Sequence, residues 1–490
     1  MSKTEVQQEL RRQLSNDSEI YFPFNSEFAN YTERWSEAVA PDIAVVVVPA
    51  TAQDVATTVK FANAVGIPFY VVNRGHGTTI SQLNLKHGIE ISMRSLANIK
   101  IAKDGNSALL GGGVFGDEVI KTLDAKGKVT VTGTCTCVGV LGPALGGGFG
   151  RYMGFYGLAT DQIISLDVVL ADGSLAKVSA TSNPDLYWGM RGAGHNFGVV
   201  TQVHYKIHDR PTADWYYTIM FFTADKLEEF FDLLNALGNN GKQPKEVVVY
   251  ALFTMNPQIS TAEPVILFSA QYAGTAAAAQ PYFAPFMKLG PVLAINDTVP
   301  YPDLAEANGN GVNSPVCQPG GSGSLNPVGL KEYNVTTSRA VYNLFKEMVT
   351  RHPGLNGSIV QLENYPVQKM KTIDAASTAY PHRSDNVLVF VSLHSYTSVL
   401  TEFPYSSLTP IYAPSDILDL IAAKYADQAR ALFDAGEPHR PLTAYVNYAN
   451  GKETVEQVYG YEAWRQQKLR ALKKKYDPEN RFRFYNPIVR

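Results

Sequence analysis

The sequence predicts an α+β protein of two domains. Its 490 residues exceed what one compact core organises. Strand and helix signals alternate between Ile43 and Met93, and past Pro211 they give way to long strand-like segments interleaved with helices. The expected divisions are 1–210, 211–440, and a C-terminal segment, 441–490, that returns to the first domain.

The elements follow in chain order. Ile43 to Val48 is a β-branched run, as in a buried strand. Thr51-Ala52-Gln53-Asp54 has the form of a capping box, with Asp54 placed to reach back to Thr51. Val55, Val59 and Ala62 recur at helical spacing; Gly66 supplies a left-handed cap and Pro68 prevents continuation. Phe69 to Val72 is the next strand, and it delivers the loop Asn73-Arg74-Gly75-His76-Gly77-Thr78-Thr79 at its C-terminal end, where α/β architectures place ligand-binding groups.

A second unit starts at Ala108 to Leu110, passes Gly111-Gly112-Gly113-Val114-Phe115-Gly116, and enters a helix from Asp117 to Ala125. A strand over Val129 to Thr132 precedes Gly133 to Gly150, the most glycine-rich stretch of the chain. Ile163 to Leu170, the turn Ala171-Asp172-Gly173, and Ala176 to Val178 form a hairpin. Gly198 leads into a strand running from Val199 to Ile207. Trp215 to Phe222, Glu246 to Thr254 and Val265 to Tyr272 are the strand-like segments of the second domain, and Asn308 to Asn326 reads as a long surface loop.

Composition narrows the function. Hydrophobic residues make up 45% and charged residues 18%, with a net charge of −3, so there is no electrostatic footprint for nucleic acid or anionic lipid. Lys473 to Lys475 reads as a solvated helix face. No apolar run reaches membrane-span length and the first residues lack a secretory h-region, which implies an intracellular, cytoplasmic protein, monomeric or homodimeric. Three cysteines argue against a disulfide framework and fit a reducing compartment.

Three constellations could carry chemistry. Gly111 to Gly116 matches G-x-G-x-x-G between a strand and a helix, but no acidic residue follows about twenty positions on, so a glycine-permitted turn is favoured over a nicotinamide site. Gly133 to Gly150 can wrap a flat or phosphorylated ligand with its own amides, and Cys135 is embedded in it. Cys135-x-Cys137 alone makes a poor zinc site, since no second ligand pair follows, and no metal is expected. His76 lies between glycines after a strand; a lone loop histidine is as often scaffold as ligand contact.

Taken together, these segments resemble the berberine-bridge-enzyme-like flavoproteins, from about Ala40 to Ile207 and again from Thr443 to the end. The resemblance implies a vanillyl-alcohol-oxidase/PCMH-type FAD-binding fold, with a substrate domain built on an antiparallel sheet covered by helices. It implies FAD bound covalently through both His76, in the Arg-Gly-His loop, and Cys135, whose Cys-x-x-Val-Gly pattern continues through Val138 and Gly139. Cys137 is out of register and is assigned to packing. Further cofactor contacts are implied from Asn73, Arg74, Gly75, Gly77 and Thr78 in the first loop, and from Gly133, Thr134, Gly142, Leu145, Gly147, Gly148 and Phe149 in the second. Gly198, Val199 and Val200 contribute from the following strand, and Tyr445, Asn447 and Asn486 from the C-terminal segment. Valine at position 138 is the small residue that the family's oxidases carry, which implies molecular oxygen as acceptor.

The Tyr445-x-Asn447-Tyr448 motif implies a tyrosine base, with Tyr445 first and Tyr448 second; a second tyrosine present in some members is Phe149 here. A phenol needs a positive or hydrogen-bonding neighbour to act as base near neutrality, and His394 and Tyr396, from the second domain, are candidates for that neighbour of Tyr445. The expected reaction is oxidation of an alcohol or activated C–H bond in a small organic substrate of specialised metabolism, with hydride passing to flavin N5 and oxygen reduced to peroxide. The alternatives are a flavin dehydrogenase with another acceptor, an oligosaccharide oxidase, and a non-enzyme that retains flavin while binding or cyclising a ligand.

Overall fold

The computed structural model describes residues 3–395 and 416–489. Strand Ile43–Val48 forms where its β-branched run predicts, and helix Ala52–Val65 starts at the capping box. The Asp54 carboxylate accepts the Thr51 amide at 2.9 Å, and the Asp54 amide donates to the Thr51 hydroxyl at 3.1 Å. Gly66 ends the helix at φ +71, the left-handed conformation glycine adopts without penalty. Ile43–Val48 and Phe69–Val72 both run parallel to Gly88–Ser92, with Glu19–Tyr21 antiparallel on the outer edge. The crossover helix therefore leaves the His76 loop at the C-terminal end of this small sheet.

A second, five-stranded antiparallel sheet contains Ser107–Gly111, Val199–Lys206 and the hairpin Ile163–Val169 with Leu175–Ser179. The G-x-G-x-x-G segment is a close-packed turn. A Cβ on Gly111, Gly112 or Gly113 would fall within 2.3 Å of the Leu96, Val200 or Met93 carbonyl. The following helix has its first amides occupied, Gly116 donating to the Val138 carbonyl at 3.0 Å and Asp117 to the Thr136 carbonyl at 2.9 Å, so they are not left open for a phosphate. The strand expected over Val129 to Thr132 is shorter than that: only Lys128–Val129 pairs, with His208–Asp209. Gly150 packs so closely over the Thr132 carbonyl that a Cβ there would lie 1.9 Å from it.

The third sheet has seven strands, all antiparallel: Leu293–Pro300, Asp214–Phe222, Ser260–Ala273, Val247–Asn256, Ile359–Asn364, Val387–Ser395 and Ser322–Leu330 in spatial order. Successive side chains point to opposite faces. Met220, Phe222, Val249, Phe253, Val360 and Leu362 pack against helices Leu227–Gly238, Ala276–Lys288, Val335–Arg351 and Asp416–Ala435. Tyr217, Ile219, Val248, Tyr250 and Leu388, on the other face, join the core that contains the glycine-rich stretch and the C-terminal segment. That second face is the roof of the site.

Two further expectations need correction. Asn308 to Asn326 is no surface loop: it contributes strand Ser322–Leu330, and Ser314, Cys317, Ser322 and Asn326 are buried. Lys473 is not a solvated residue either; it is buried, paired with Asp477 at 2.6 Å, and donates to the Asn196 and Phe482 carbonyls. It thereby ties helix Ala463–Tyr476 to the returning chain end. No helix among the described residues is long and apolar enough to cross a membrane.

Candidate active site

The His76 loop and the glycine-rich stretch meet directly. Asn73 donates its amide to the Val114 carbonyl at 2.7 Å, and the Arg74 Nε donates to the Cys137 carbonyl at 3.2 Å. The Arg74 guanidinium also lies 4.8 Å from the centre of the Phe115 ring. Gly75 turns at φ +68, where any Cβ would press on the Glu33 carbonyl. His76 Nε2 lies 3.5 Å from the Cys137 sulfur, while its Nδ1 is sealed from solvent and has no partner. Burial, reinforced by the Arg74 charge, pushes the imidazole down to about 4, so the ring is neutral and keeps a free lone pair at physiological pH.

The cysteines divide differently from expectation. Cys137 is bonded to Cys317 in a disulfide that joins the glycine-rich stretch to the segment leading into strand Ser322–Leu330 of the seven-stranded sheet, 180 residues away. It is therefore a cross-link and not a packing residue, and the cysteine count did not argue against a disulfide. Cys135 is the free thiol. Burial first, then the field of Glu363, pushes it up to about 11, while Arg151 pulls it the other way.

Below the roof, Gly147 and Gly148 turn at φ +119 and +81, and a Cβ on Gly147 would strike the Tyr380 ring. The Gly148 amide donates to the Tyr445 hydroxyl at 2.9 Å, and the Asn447 amide donates to the same oxygen at 2.6 Å. Phe149 packs edge-on against Tyr445, with ring centres 5.0 Å apart. Asn486 holds the returning chain end by donating to the Val446 and Ala449 carbonyls, and its own carbonyl accepts from Thr79. Gly133 and Gly142 face open space, Leu145 is buried, and Gly198 to Val200 lie in the core beside them. Gly77 abuts the Tyr485 ring.

Sequence reasoning missed Glu363. It is buried on the roof, in register with Tyr250 on one neighbouring strand and Leu388 on the other. Both its oxygens lie 3.4 Å from the Tyr448 hydroxyl, and Gln361 donates to one of them at 2.7 Å. Burial pushes its carboxyl up to about 8. Phe390 and Tyr445 pack against the Tyr448 ring, Tyr250 flanks Glu363 on the neighbouring strand, Tyr380 packs behind Tyr445, and Tyr250 and Tyr365 share a hydrogen bond at 3.3 Å. The side chain of His394 and the whole of Tyr396 lie outside the described residues.

The residues present fit FAD. Asn73 Oδ1, His76 Nδ1, Thr78 Oγ1 and Asn447 Oδ1 are buried without any partner in the protein. Buried polar atoms are rarely left unpaired, and these four, on the His76 loop and on the C-terminal segment that packs against the glycine-rich stretch, suit a ligand with many polar edges.

Comparison with known proteins agrees with that geometry. Residues 43–179 match the family model "FAD binding domain", and residues 444–489 match "Berberine and berberine like". The FAD-linked oxidoreductase anuG of Penicillium roqueforti is 44% identical over 490 residues, covering 100% of this chain and 93% of its own. Among solved structures, the Physcomitrella patens BBE-like 1 protein superposes with a TM-score of 0.80 at 20% identity, covering 99% of each chain. Glucooligosaccharide oxidase from Acremonium strictum, described for its 6-S-cysteinyl, 8α-N1-histidyl FAD, superposes with a TM-score of 0.76 at 20% identity over 96% of each chain. The architecture is the vanillyl-alcohol-oxidase/PCMH-type FAD-binding fold. The chain belongs to the berberine-bridge-enzyme-like family of FAD-linked oxidoreductases.

Proposed function

We propose that this oxidoreductase is an oxidase of a planar, largely apolar alcohol or activated C–H substrate, with FAD bonded to both His76 and Cys135. Residues 1–210 and 441–490 would hold the cofactor, and 211–440 would supply the roof over the substrate. The observation that carries the reading is the Tyr448–Glu363 pair, set into a box of aromatic rings beside the one free thiol. Free Nδ1 of His76 and free Cys135 supply the two nucleophilic atoms that such a double bond needs. When bound, FAD would accept hydride at N5 and pass the electrons on to oxygen.

Proton handling falls to the protein. Tyr445 receives two donors and so holds the Gly147–Phe149 backbone against the C-terminal segment. Tyr448 has an acceptor instead. Its own pKa is driven far up by burial and by the charge of Glu363, so a standing phenolate is disfavoured. The economical path is a relay: the substrate hydroxyl gives its proton to the Tyr448 oxygen as Tyr448 passes its own to Glu363. A separation of 3.4 Å is long for such a bond and is expected to tighten on substrate binding. The geometry thus supports Tyr448 over Tyr445 as the base.

Aromatic walls with one carboxylate suit a flat ring system better than an oligosaccharide, whose many hydroxyls need many polar partners. Val138 supports oxygen as acceptor. Anaerobic titration with planar aromatic alcohols tests the assignment. Bleaching of the flavin, followed by one peroxide per reduced flavin when oxygen is readmitted, is the expected result. Reoxidation only by an added dye would assign a dehydrogenase instead.

A further inference from the structure

Among the described residues four arginines are buried, and Arg151 is the one without a carboxylate partner. Arg34 pairs with Glu90, Arg383 with Asp161 at 2.6 Å, and Arg465 with Glu462 at 3.2 Å. Arg151 is 2% exposed, and among the described residues no carboxylate stands within ion-pair distance of it. A buried, uncompensated cation costs several kcal/mol and persists where an anion or a developing negative charge repays it.

Its hydrogen bonds show where. Nη1 donates to the Thr134 carbonyl at 3.1 Å, immediately before Cys135. Nη2 donates to the Asn310 side-chain oxygen at 3.0 Å, and the Asn310 backbone carbonyl accepts the Thr136 amide at 3.0 Å, immediately after Cys135. Nε donates to Gln271 at 2.8 Å, on the seven-stranded sheet. One guanidinium therefore clamps the chain on both sides of the thiol.

We propose that Arg151 is the positioning residue that prepares Cys135 for its bond to the flavin, fixing the loop on either side of the sulfur and supplying the charge that stabilises its thiolate. This rests on the reading that Cys135 is bonded to FAD. The charged and titratable groups facing Cys135 are Arg151, Glu363 and Tyr448, and the last two oppose ionisation. Tyr250 and Tyr301 share the field of Arg151, but burial raises both phenols above a value that already exceeds that of a thiol. Cys135 is left as the most acidic of these groups, and Arg151 is the neighbour that works against burial and Glu363 to favour its thiolate. In the bonding step the thiol loses its proton and sulfur bonds to ring carbon C6 as that carbon loses its hydrogen. The two electrons and two protons released reduce dioxygen to hydrogen peroxide.

The test uses His76→Ala, in which Cys135 makes the only bond, and adds Arg151→Gln or Arg151→Lys. Each purified protein is incubated aerobically with FAD at a series of pH values, and acid-stable flavin is followed with time. The glutamine variant should bond about tenfold more slowly at neutral pH for each unit by which the thiol pKa rises. Its rate and the parent's should climb in parallel with pH while the thiol stays protonated, below about 11, and lysine should restore most of the lost rate. Equal rates for Arg151→Gln and its parent overturn the proposal, as does a loss shared by both variants at every pH, which would mark a merely structural clamp. If the glutamine variant does not fold, the lysine variant decides alone: a rate close to the parent's supports a role for the charge, and a large loss at every pH overturns it. Release of all flavin from His76→Ala itself overturns the two-bond reading, and this proposal with it.

Discussion

The Tyr448 hydroxyl stands 3.4 Å from each oxygen of Glu363, joining the C-terminal segment to the centre of the seven-stranded roof. Neither residue can do the proton work alone. The phenol is too weak an acid in that setting, and the carboxyl is buried with Tyr448 and Gln361 as its neighbours.

Removing either partner should therefore break the same relay. Tyr448→Phe and Glu363→Gln are each expected to lower kcat by about 10²- to 10⁴-fold, the usual worth of general base catalysis. Flavin content should be unchanged, and the double variant should be little worse than either single one. Tyr445→Phe should instead weaken the seating of the Gly147–Phe149 turn, with a smaller kcat loss. Steady-state kinetics on the four proteins, normalised to flavin, checks the ordering.

The pH dependence follows from the carboxyl at about 8. The relay needs Glu363 ionised, so kcat should rise with pH through that value, and Glu363→Gln should flatten the limb. Stability moves the opposite way. Glu363 keeps its proton in the folded protein up to about 8 but loses it near 4.5 when unfolded. The folded state thus binds more protons across that window, and stability falls as pH rises through it. Urea midpoints at pH 5 and pH 8 should differ less for Glu363→Gln than for the parent.

The Cys137–Cys317 bond closes a loop of 180 residues. In the chain-entropy account, opening so long a loop costs about 4 kcal/mol or more. Cys317→Ser should lower the denaturant midpoint by a corresponding amount while FAD is retained. Alkylation of the unreduced, denatured protein should leave Cys137 and Cys317 unlabelled; labelling of both would contradict the cross-link.

Val138 offers a separate handle on the acceptor. Val138→Leu should slow reoxidation by oxygen by about tenfold or more, equivalent to ~1.4 kcal/mol of barrier. Reduction by substrate should change much less, which stopped-flow reduction and reoxidation can separate.

Much of this was legible in the sequence because its signals are local. The Thr51–Asp54 box, the Gly66 cap, the hairpin after Ile163 and the glycine-rich turn each depend on neighbours a few residues apart, and each forms. Contacts made across the fold were not legible. Cys137 finds Cys317 only once the fold brings together segments 180 residues apart, and Lys473 is buried only because the chain end returns over it. Glu363 left a faint signal: Val360 and Leu362 alternate as one face of a strand, which places Gln361 and Glu363 on the other. Nothing local reveals that this other face is also buried, and a buried carboxylate is what sets it apart.

The most direct measurement is acid precipitation of the purified protein and of His76→Ala, Cys135→Ala and the double variant, with absorbance read in pellet and supernatant. Two bonds predict yellow pellets from the parent and from both single variants, and a colourless pellet with free FAD in the supernatant only for the double variant. Complete release of flavin from either single variant would contradict the account.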